Sequence, residues 1–427
     1  MLRAPGDGTG NKGVETETMT RIGIACDGGR NRAISGDVLA RRAMASGGIA
    51  RPDLILAFCS GRNGPEAFFH DIRQAAGPDV PVVGGSAIGV ISNDFLSYRD
   101  PVAAVAVLES DLITFRLASA GQVDENEKEA GRKVAAGIAR RPEDRLLLVF
   151  YDSIKVPPEN GSPPIMNSST PLMAGIGEVL NDDVPVIGAG LIGDYGFNRT
   201  QQFCGSWVAS QSLVGVMLGG DFSVYHRITH GCTPLDGVYH RVTKVSGPLL
   251  HEIDGRPIVE MINDLFDSEE WQEERPLDYL TIGVHCGEKY QGYRENQYVN
   301  RLILGVIPDR SGVMMFESDL KEGDEIQFMV RDAGRMVESA RSNSHLLVDM
   351  MEKDGCIPLL ALYIDCAGRA QGYSNTSVEE AAEVQKVLGE RNIPLIGFYS
   401  GVELAPLLGR TRGLDWTGVL TILARKP

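Results

Sequence analysis

The segment Asp79-Val-Pro-Val-Val-Gly-Gly-Ser-Ala-Ile-Gly89 returns further along the chain as Asp183-Val-Pro-Val-Ile-Gly-Ala-Gly-Leu-Ile-Gly193. A third version reads Ile393-Pro-Leu-Ile-Gly-Phe-Tyr-Ser-Gly-Val-Glu403. The first two prolines lie 104 residues apart, and the third lies 209 residues beyond the second, close to twice that interval. This spacing predicts four quasi-repeats, two in each of two domains, with a degenerate copy at Leu280–Glu288.

Short apolar runs alternate with amphipathic stretches around the repeated segment. Arg21–Cys26 and Leu54–Phe58 are predicted strands, and Asp37–Ser46 between them has the spacing of a core-facing helix. Such alternation is typical of α/β layers. Because paired strands follow the first two copies, mixed sheets are favoured over all-parallel ones. We therefore predict an α/β protein with two domains of mixed β-sheets and packed helices, built from internal half-domain repeats, at residues 21–225 and 226–427.

Composition and charge limit the class of protein. The 427 residues are 43% hydrophobic and 23% charged, which is ordinary for a globular protein. The formal net charge of −16 repels phosphate backbones, so we expect no nucleic-acid partner. Membrane insertion is not expected either, because no apolar run approaches the roughly 18 residues that a span requires. Residues 1–20 lack the apolar core of a signal peptide and are predicted to form a disordered tail.

Cysteine and histidine patterns give no sign of a metal centre. The seven cysteines are odd in number and none is paired at C-x-x-C spacing, which is neither a disulfide framework nor a zinc pattern. The seven histidines form no H-E-x-x-H motif. We expect no metal site and a cytoplasmic location.

Each copy of the repeated segment ends in a glycine-containing turn. We call these turns the first, second and third glycine corners, at residues 84–89, 188–194 and 397–403. Glycine at the end of an apolar strand allows close approach of the backbone to a ligand. Ser86 and Ser400 add hydroxyls, and Asp194 and Glu403 add carboxylates that receive an amine or cap a helix. A tight turn with an N-cap and no ligand is the structural alternative.

Motifs for nucleotide binding and catalysis are weak in this chain. Gly188-Ala-Gly190-Leu-Ile-Gly193 fits G-x-G-x-x-G, but the residues after it do not resemble the start of a helix. Cys366 follows an apolar strand and lies close to Arg369, whose charge favours a thiolate. A nucleophile also needs a positioned base, which the sequence does not place. We assign no catalytic residue.

In their order along the chain, these features resemble the FIST family, with an N-terminal FIST_N and a C-terminal FIST_C domain. The N-terminal half is similar to FIST_N in the strand Leu54-Ile-Leu-Ala-Phe58 and in Gly84-Gly-Ser-Ala-Ile-Gly89. The C-terminal half resembles FIST_C in His230-Gly-Cys-Thr-Pro234, Cys366-Ala-Gly-Arg369 and Gly397-Phe-Tyr-Ser-Gly401.

The resemblance implies an intracellular sensory module that binds small ligands such as amino acids. No fused output domain is recognised, so the signal is expected to pass to a separate protein. One branch of similar architecture binds haem and responds to nitric oxide. The chain departs from the family pattern at two corners: Val90 stands where the family usually has Gly-Glu, and Val402 replaces a second glycine. The resemblance therefore does not imply that every corner binds a ligand.

The first hypothesis is a sensor of an amino acid or small carboxylate, in which the corners converge between the two halves and expose backbone amides around a shared hollow. Arg301 or Arg369 would hold a ligand carboxylate with two hydrogen bonds, and Asp194 or Glu403 would receive an amine. The predicted ligand-binding residues are Gly84, Gly85, Ser86, Gly188, Asp194, Arg301, Cys366, Arg369, Gly397, Ser400 and Glu403.

Three other hypotheses stay open. A haem sensor would bind its cofactor without covalent attachment, because no C-x-x-C-H motif is present, through His230 or His345 as axial ligand. A hydrolase or transferase would use Cys366 or Ser400 as nucleophile. A scaffold would bind a partner protein and no small ligand.

Overall fold

The structure is a computed structural model that describes residues 19–28, 32–99, 101–159, 164–181, 183–274 and 276–426. Apart from residues 19 and 20, the predicted disordered tail lies outside the described residues. Within the described ranges, no helix combines the length and the apolarity needed to cross a bilayer.

The first unit of the fold spans residues 20–110. Its elements are, in order, β1 (Thr20–Gly28), α1 (Gly36–Gly47), β2 (Leu54–Cys59), α2 (Pro65–Ala76), β3 (Val82–Ser86), β4 (Val90–Ser92), β5 (Leu96–Ser97) and β6 (Val102–Ser110). Ser35 caps α1 by accepting a hydrogen bond from the N–H of Val38. Pro65 opens α2, where a missing N–H costs nothing. Leu39 and Phe69, on the apolar faces of the two helices, pack against the sheet.

The second unit, residues 113–220, repeats this order. Its elements are β7 (Ile113–Gly121), α3 (Glu127–Ile138), β8 (Asp144–Asp152), β9 (Ile154–Val156), β10 (Ile165–Met166), α4 (Ser169–Leu180), β11 (Val186–Leu191), β12 (Gln202–Gly205), β13 (Trp207–Ala209) and β14 (Ser212–Gly220). The helices approach very closely, because a Cβ at Gly175 would lie 1.9 Å from the carbonyl oxygen of Lys128. Only glycine permits that contact.

A third unit opens with β15 (Ser223–Thr229) and is then interrupted by an inserted module. The module contains β16 (Cys232–Pro234), β17 (His240–Ser246), β18 (Leu249–Ile253), β19 (Arg256–Pro257), α5 (Ile258–Phe266), β20 (Leu280–His285), β21 (Tyr298–Arg301), β22 (Ile303–Val306), β23 (Val313–Met315) and β24 (Glu325–Arg331). Its strands form one nine-stranded sheet. Ile258 and Ile262 of α5 are buried in the core of the module.

The third unit resumes after the module. Its remaining elements are α6 (Ala333–Lys353), β25 (Ile357–Cys366), α7 (Glu380–Glu390), β26 (Leu395–Ser400), β27 (Val402–Leu407), β28 (Arg410–Leu414) and β29 (Gly418–Arg425).

The three units form sheets of the same strand order. These orders are β1-β6-β2-β3, β7-β14-β8-β11 and β15-β29-β25-β26. In each sheet the last two strands are parallel, and the other pairs are antiparallel. Pro81, Pro185 and Pro394 each directly precede the last strand of their own sheet. The recurrence of the glycine corners in the sequence therefore corresponds to the same position in three sheets.

Each unit donates a hairpin to the sheet of another unit. The hairpin β12–β13 extends the first sheet beside β3, and β27–β28 extends the second sheet beside β11. The hairpin β4–β5 extends the third sheet beside β26, which closes a ring of exchanges. Every glycine corner is consequently covered along one edge by a strand from a neighbouring unit.

The predicted α/β class with mixed sheets and packed helices is confirmed. The prediction of four quasi-repeats is not confirmed, because Leu280–Glu288, the proposed degenerate copy, begins with β20, which is antiparallel to both of its neighbours in the module sheet. The predicted boundary between residues 225 and 226 falls inside β15.

The inner faces of the three sheets share one apolar core. Leu56, Leu148 and Leu362 occupy equivalent positions in the three sheets. Each pairs with the residue two places after the proline that precedes the last strand of its sheet. The void between the leucines of the three sheets is only about 10 Å³. The rings of Phe58 and Phe398 stack nearby with their centroids 4.1 Å apart. Side chains thus fill the space between these leucines, which leaves no room for a ligand there.

Candidate functional site

The three glycine corners lie next to one another, as predicted. The N–H of Gly61, at the end of β2, donates to the carbonyl of Gly193, 2.9 Å away. Gly401 donates to the carbonyl of Gly190 at 2.9 Å, and Tyr399 donates to the carbonyl of Gly89 at 3.1 Å. The first bond joins the end of β2 to the second corner, and the other two join the third corner to the second and to the first. The first and second corners also meet, since a Cβ at Gly193 would lie 3.2 Å from the Cβ of Ser86.

The prediction that the corners expose backbone amides around a shared hollow is wrong, because the corner strands are paired along both edges. Gly84 and Gly85 pair with β12, Gly188 pairs with β27, and Gly397 pairs with β4. The glycines serve strand packing rather than ligand approach. A Cβ at Gly84, Gly188 or Gly397 would lie 2.1, 1.9 or 2.5 Å from a carbonyl oxygen of the parallel neighbour.

One side of the first corner opens into a cleft of about 690 Å³, which we call the corner cleft. It lies at the carboxyl ends of the parallel strands β2 and β3, beside the first turn of α2. Ser86 is buried at its base, where its hydroxyl oxygen accepts a hydrogen bond from the N–H of Gln201 at 3.0 Å. Gly64, with φ of 68°, turns the chain into α2 without a side-chain cap. The N–H groups at that helix end have no acceptor within the helix.

Charges of both signs surround the corner cleft. Arg199 lines it and lies 3.9 Å from the carboxylate of Asp124, too far for a strong pair. His70 and Glu66, one turn apart on α2, also line the cleft. Asp194 lies beside Gly61, since a Cβ at that glycine would be 3.4 Å from the carboxylate oxygen. The cleft can therefore present a cation, a helix N-terminus and carboxylates to one small molecule.

The hydroxyl and carboxylate of the third corner face inward. Ser400 donates from Oγ to Glu403 Oε1 at 2.7 Å, and both residues are fully buried. Burial raises the pKa of the Glu403 carboxyl well above its usual range. A carboxyl held neutral cannot receive an amine as an ion pair, so this corner differs from the predicted site.

Both arginines that were expected to clamp a ligand carboxylate already bind carboxylates of this chain. Arg369, with no exposed side-chain surface, bonds to Glu380 and lies 3.3 Å from Asp365. Arg301 makes a two-pronged contact with Asp319, with Nε–Oδ1 at 2.7 Å and Nη2–Oδ2 at 2.5 Å. Neither guanidinium is free for a ligand in this arrangement.

The environment of Cys366 is the opposite of that of a nucleophilic thiol. Burial and the neighbouring Glu403 raise the pKa of Cys366 well above its usual value, which disfavours the thiolate. Ser400 is enclosed beside a buried carboxyl. The geometry gives no support to a hydrolase or transferase at either residue.

His230 has no ring nitrogen available for an axial bond to haem. Its Nδ1 accepts a hydrogen bond from the N–H of Cys232 at 3.0 Å, and its Nε2 lies 2.9 Å from the carbonyl of Glu295. The side chain is also fully buried. His230 therefore does not fit a haem site. His345 lies half-buried on α6.

Arg199 and His70 are not predicted from the sequence, because they come from segments without a motif. The same holds for a second cavity, of about 510 Å³, in the inserted module. Tyrosines at positions 290, 293 and 298 of one short stretch were its only signal in the sequence.

Three mixed α/β sheets joined by exchanged hairpins, with a β-rich module inserted in the third unit, define a mixed α/β protein. The model of the FIST N domain matches residues 53–256, and that of the FIST C domain matches residues 259–406. The chain therefore belongs to the FIST family, as its motifs predict.

Its curated relatives are uncharacterized. One from Mycobacterium bovis is 27% identical over 237 residues, which are 54% of this chain and 58% of the relative. One from Methanocaldococcus jannaschii is 25% identical over 199 residues, 44% of this chain and 36% of the relative. The chain thus matches less than two thirds of the length of either. The crystal structure of a cyanuric acid hydrolase from A. caulinodans superposes over 96% of this chain and all of its own, at 12% identity and a TM-score of 0.33, too low to support a conclusion.

Proposed function

We propose that this chain is a small-ligand-binding sensory module and that its ligand, an amino acid or small carboxylate, binds in the corner cleft. The observation that carries the proposal is the position of this cleft at the carboxyl ends of two parallel strands, where ligands of open α/β sheets bind. Its volume of about 690 Å³ lies in the ordinary range of small-molecule sites. Membership of the FIST family supports a sensory role.

The charges of the corner cleft favour a zwitterion. A ligand carboxylate fits the first turn of α2 and Arg199, because a helix N-terminus and a guanidinium both favour anions. A ligand ammonium fits Asp194, whose carboxylate accepts bonds from Asn198 and from the N–H of Gly196 in a partly exposed position. Of the predicted ligand-binding residues, this proposal retains Ser86 and Asp194.

The segment that carries Asp194 also offers a route for the signal. The ring of Tyr195 stacks on that of Tyr373 with centroids 3.9 Å apart, and its hydroxyl donates to the carbonyl of Ala367 at 3.1 Å. A ligand that shifts Asp194 therefore acts on the third unit. A separate output protein in the cytoplasm, reading that change, completes the proposal.

A panel of amino acids and small organic acids, each tested for its effect on thermal unfolding, examines this function. A ligand present at 100 times its Kd should stabilise the protein by about 2.7 kcal/mol. Arg199→Gln and Asp194→Asn should abolish the shift. Arg141→Gln is the matched control, because Arg141 is similarly exposed and lies 3.9 Å from Glu143. No shift with any compound at millimolar concentration, or shifts that survive both cleft variants, would rule out the proposal.

A further inference from the structure

The second cavity lies in the inserted module, far in sequence from the corner cleft. We call it the aromatic pocket, because its walls are the rings of Tyr239, His285, Tyr290, Tyr293 and Tyr298. It has a volume of about 510 Å³, which suits a molecule of one or two rings. The walls come from the segment before β17, the end of β20, the start of β21 and the loop between those two strands.

Hydrogen bonds and stacking hold four of the five rings of the aromatic pocket in place. His285 stacks on Tyr298 with centroids 4.6 Å apart and planes 12° apart, and its Nδ1 lies 2.7 Å from the hydroxyl of Tyr239. Tyr298 donates to Gln327 Oε1 at 2.9 Å, and Tyr293 donates to the carbonyl of Cys232 at 2.6 Å. A planar ligand would enter a slot whose walls are already ordered, which lowers the entropy cost of binding.

The outer rings of the aromatic pocket remain in solvent. Tyr290 is 87% exposed and Tyr293 is 42% exposed. Tyr290 also has a φ of 64°, a left-handed conformation that is unusual for a bulky side chain. Its ring meets that of Tyr239 edge-on, with centroids 5.7 Å apart. Exposed aromatic rings at the mouth of a cavity offer the area that a bound ring would cover.

Among the residues that the structure describes, one cation at the aromatic pocket has no partner. Arg335, in the first turn of α6, lines the pocket, and its guanidinium has no hydrogen-bond acceptor within the described ranges. The other nearby cation, Lys289, lies 5.0 Å from the centroid of Tyr239 but is paired with Glu325. The pocket therefore combines aromatic walls with one available positive charge.

We propose that the aromatic pocket binds a planar aromatic carboxylate, distinct from the ligand of the corner cleft. The ring lies among the tyrosines, where offset or edge-on contacts each add to the burial of apolar area. The carboxylate meets the guanidinium of Arg335, which binds such groups with two parallel hydrogen bonds. A cationic ligand fits less well, because the unpaired charge of Arg335 would repel it.

Isothermal titration of the full chain with three probes of similar size tests this assignment. The probes are 4-hydroxybenzoate, its neutral analogue 4-hydroxybenzamide, and benzyltrimethylammonium. We expect 4-hydroxybenzoate to bind at least tenfold more tightly than either of the others. Arg335→Gln should remove that preference, and Tyr290→Ala should weaken binding of the carboxylate by tenfold or more.

Matched controls separate this site from general effects and from the corner cleft. Arg341→Gln alters an exposed arginine on the same helix, and Tyr279→Ala removes a tyrosine that is 55% exposed outside the pocket. These variants, and Arg199→Gln of the corner cleft, should bind 4-hydroxybenzoate like the unaltered chain. Absence of binding, equal binding of all three probes, or binding unaffected by Arg335→Gln and Tyr290→Ala would overturn the proposal.

Discussion

Replacing Arg369 with methionine tests whether this arginine is a structural ion-pair partner rather than a ligand clamp. Its guanidinium bonds to Glu380, lies 3.3 Å from Asp365, and donates to the carbonyls of His230 at 3.0 Å and Trp416 at 2.8 Å. Removing one partner of a buried ion pair costs about 3–5 kcal/mol, because the remaining charge stays buried without compensation. We expect Arg369→Met to lose that much free energy of unfolding near pH 8.

The loss should depend on pH in a direction that the buried carboxyls determine. Burial raises the pKa of both Asp365 and Glu380, and removing Arg369 takes away the interaction that lowers them. A group whose pKa is raised in the folded state contributes stability at low pH and loses it as the pH rises through that pKa. The deficit of Arg369→Met should therefore shrink at pH 5 and grow toward pH 8.

Urea denaturation of the variant and the unaltered chain at pH 5 and pH 8 measures both effects. Arg341→Met is the control, because Arg341 pairs with Glu338 on the exposed face of α6 and should change stability by no more than about 0.5 kcal/mol. A loss below about 1 kcal/mol at pH 8, or an equal loss at both pH values, would refute the reasoning.

Two further predictions concern the corners and a buried acid. Gly84→Ala should cost about 3–5 kcal/mol in thermal unfolding, because its Cβ would lie 2.1 Å from the carbonyl oxygen of Ala57 at a φ of 134°. Gly64→Ala, at a φ of 68° with open space around it, should cost only about 1–2 kcal/mol. Equal losses for the two variants would contradict this account. Burial raises the pKa of Asp152 to about 6, so its contribution to stability should fall by roughly 2 kcal/mol between pH 4 and pH 7. Asp152→Asn should remove that part of the pH dependence in denaturation curves, and an unchanged profile would show that Asp152 is not its source.

Local elements could be predicted from the sequence because hydrophobic periodicity is a local property. The helix expected at Asp37–Ser46 is α1 at Gly36–Gly47, and the strand expected at Leu54–Phe58 is β2 at Leu54–Cys59. The exchange of hairpins could not be predicted, because the sequences of β4 and β12 do not indicate which strand each will pair with. Pairing between units is set by the shape of the assembled core.

The candidate site could be predicted only in part. Ser86 and Asp194, which the proposed cleft retains, follow a recurring strand end and are predicted from that position. The sequence suggests a ligand-binding role for Arg369 because no motif identifies its acidic partners. One of them, Glu380, lies on a separate helix. Burial decides whether an arginine serves a ligand or the core, and a single sequence does not report burial of charged residues.

The ring of donated hairpins has a consequence for how the chain reaches its final form. The second sheet obtains the strand beside β11 from residues 402–407, more than two hundred positions after β11 itself has been synthesised. During synthesis, the second sheet therefore has an unpaired edge at β11 until β27 and β28 emerge from the ribosome. Assembly should thus finish in one late step, and a nascent chain arrested before residue 402 should be far more sensitive to protease than the full chain released from the ribosome.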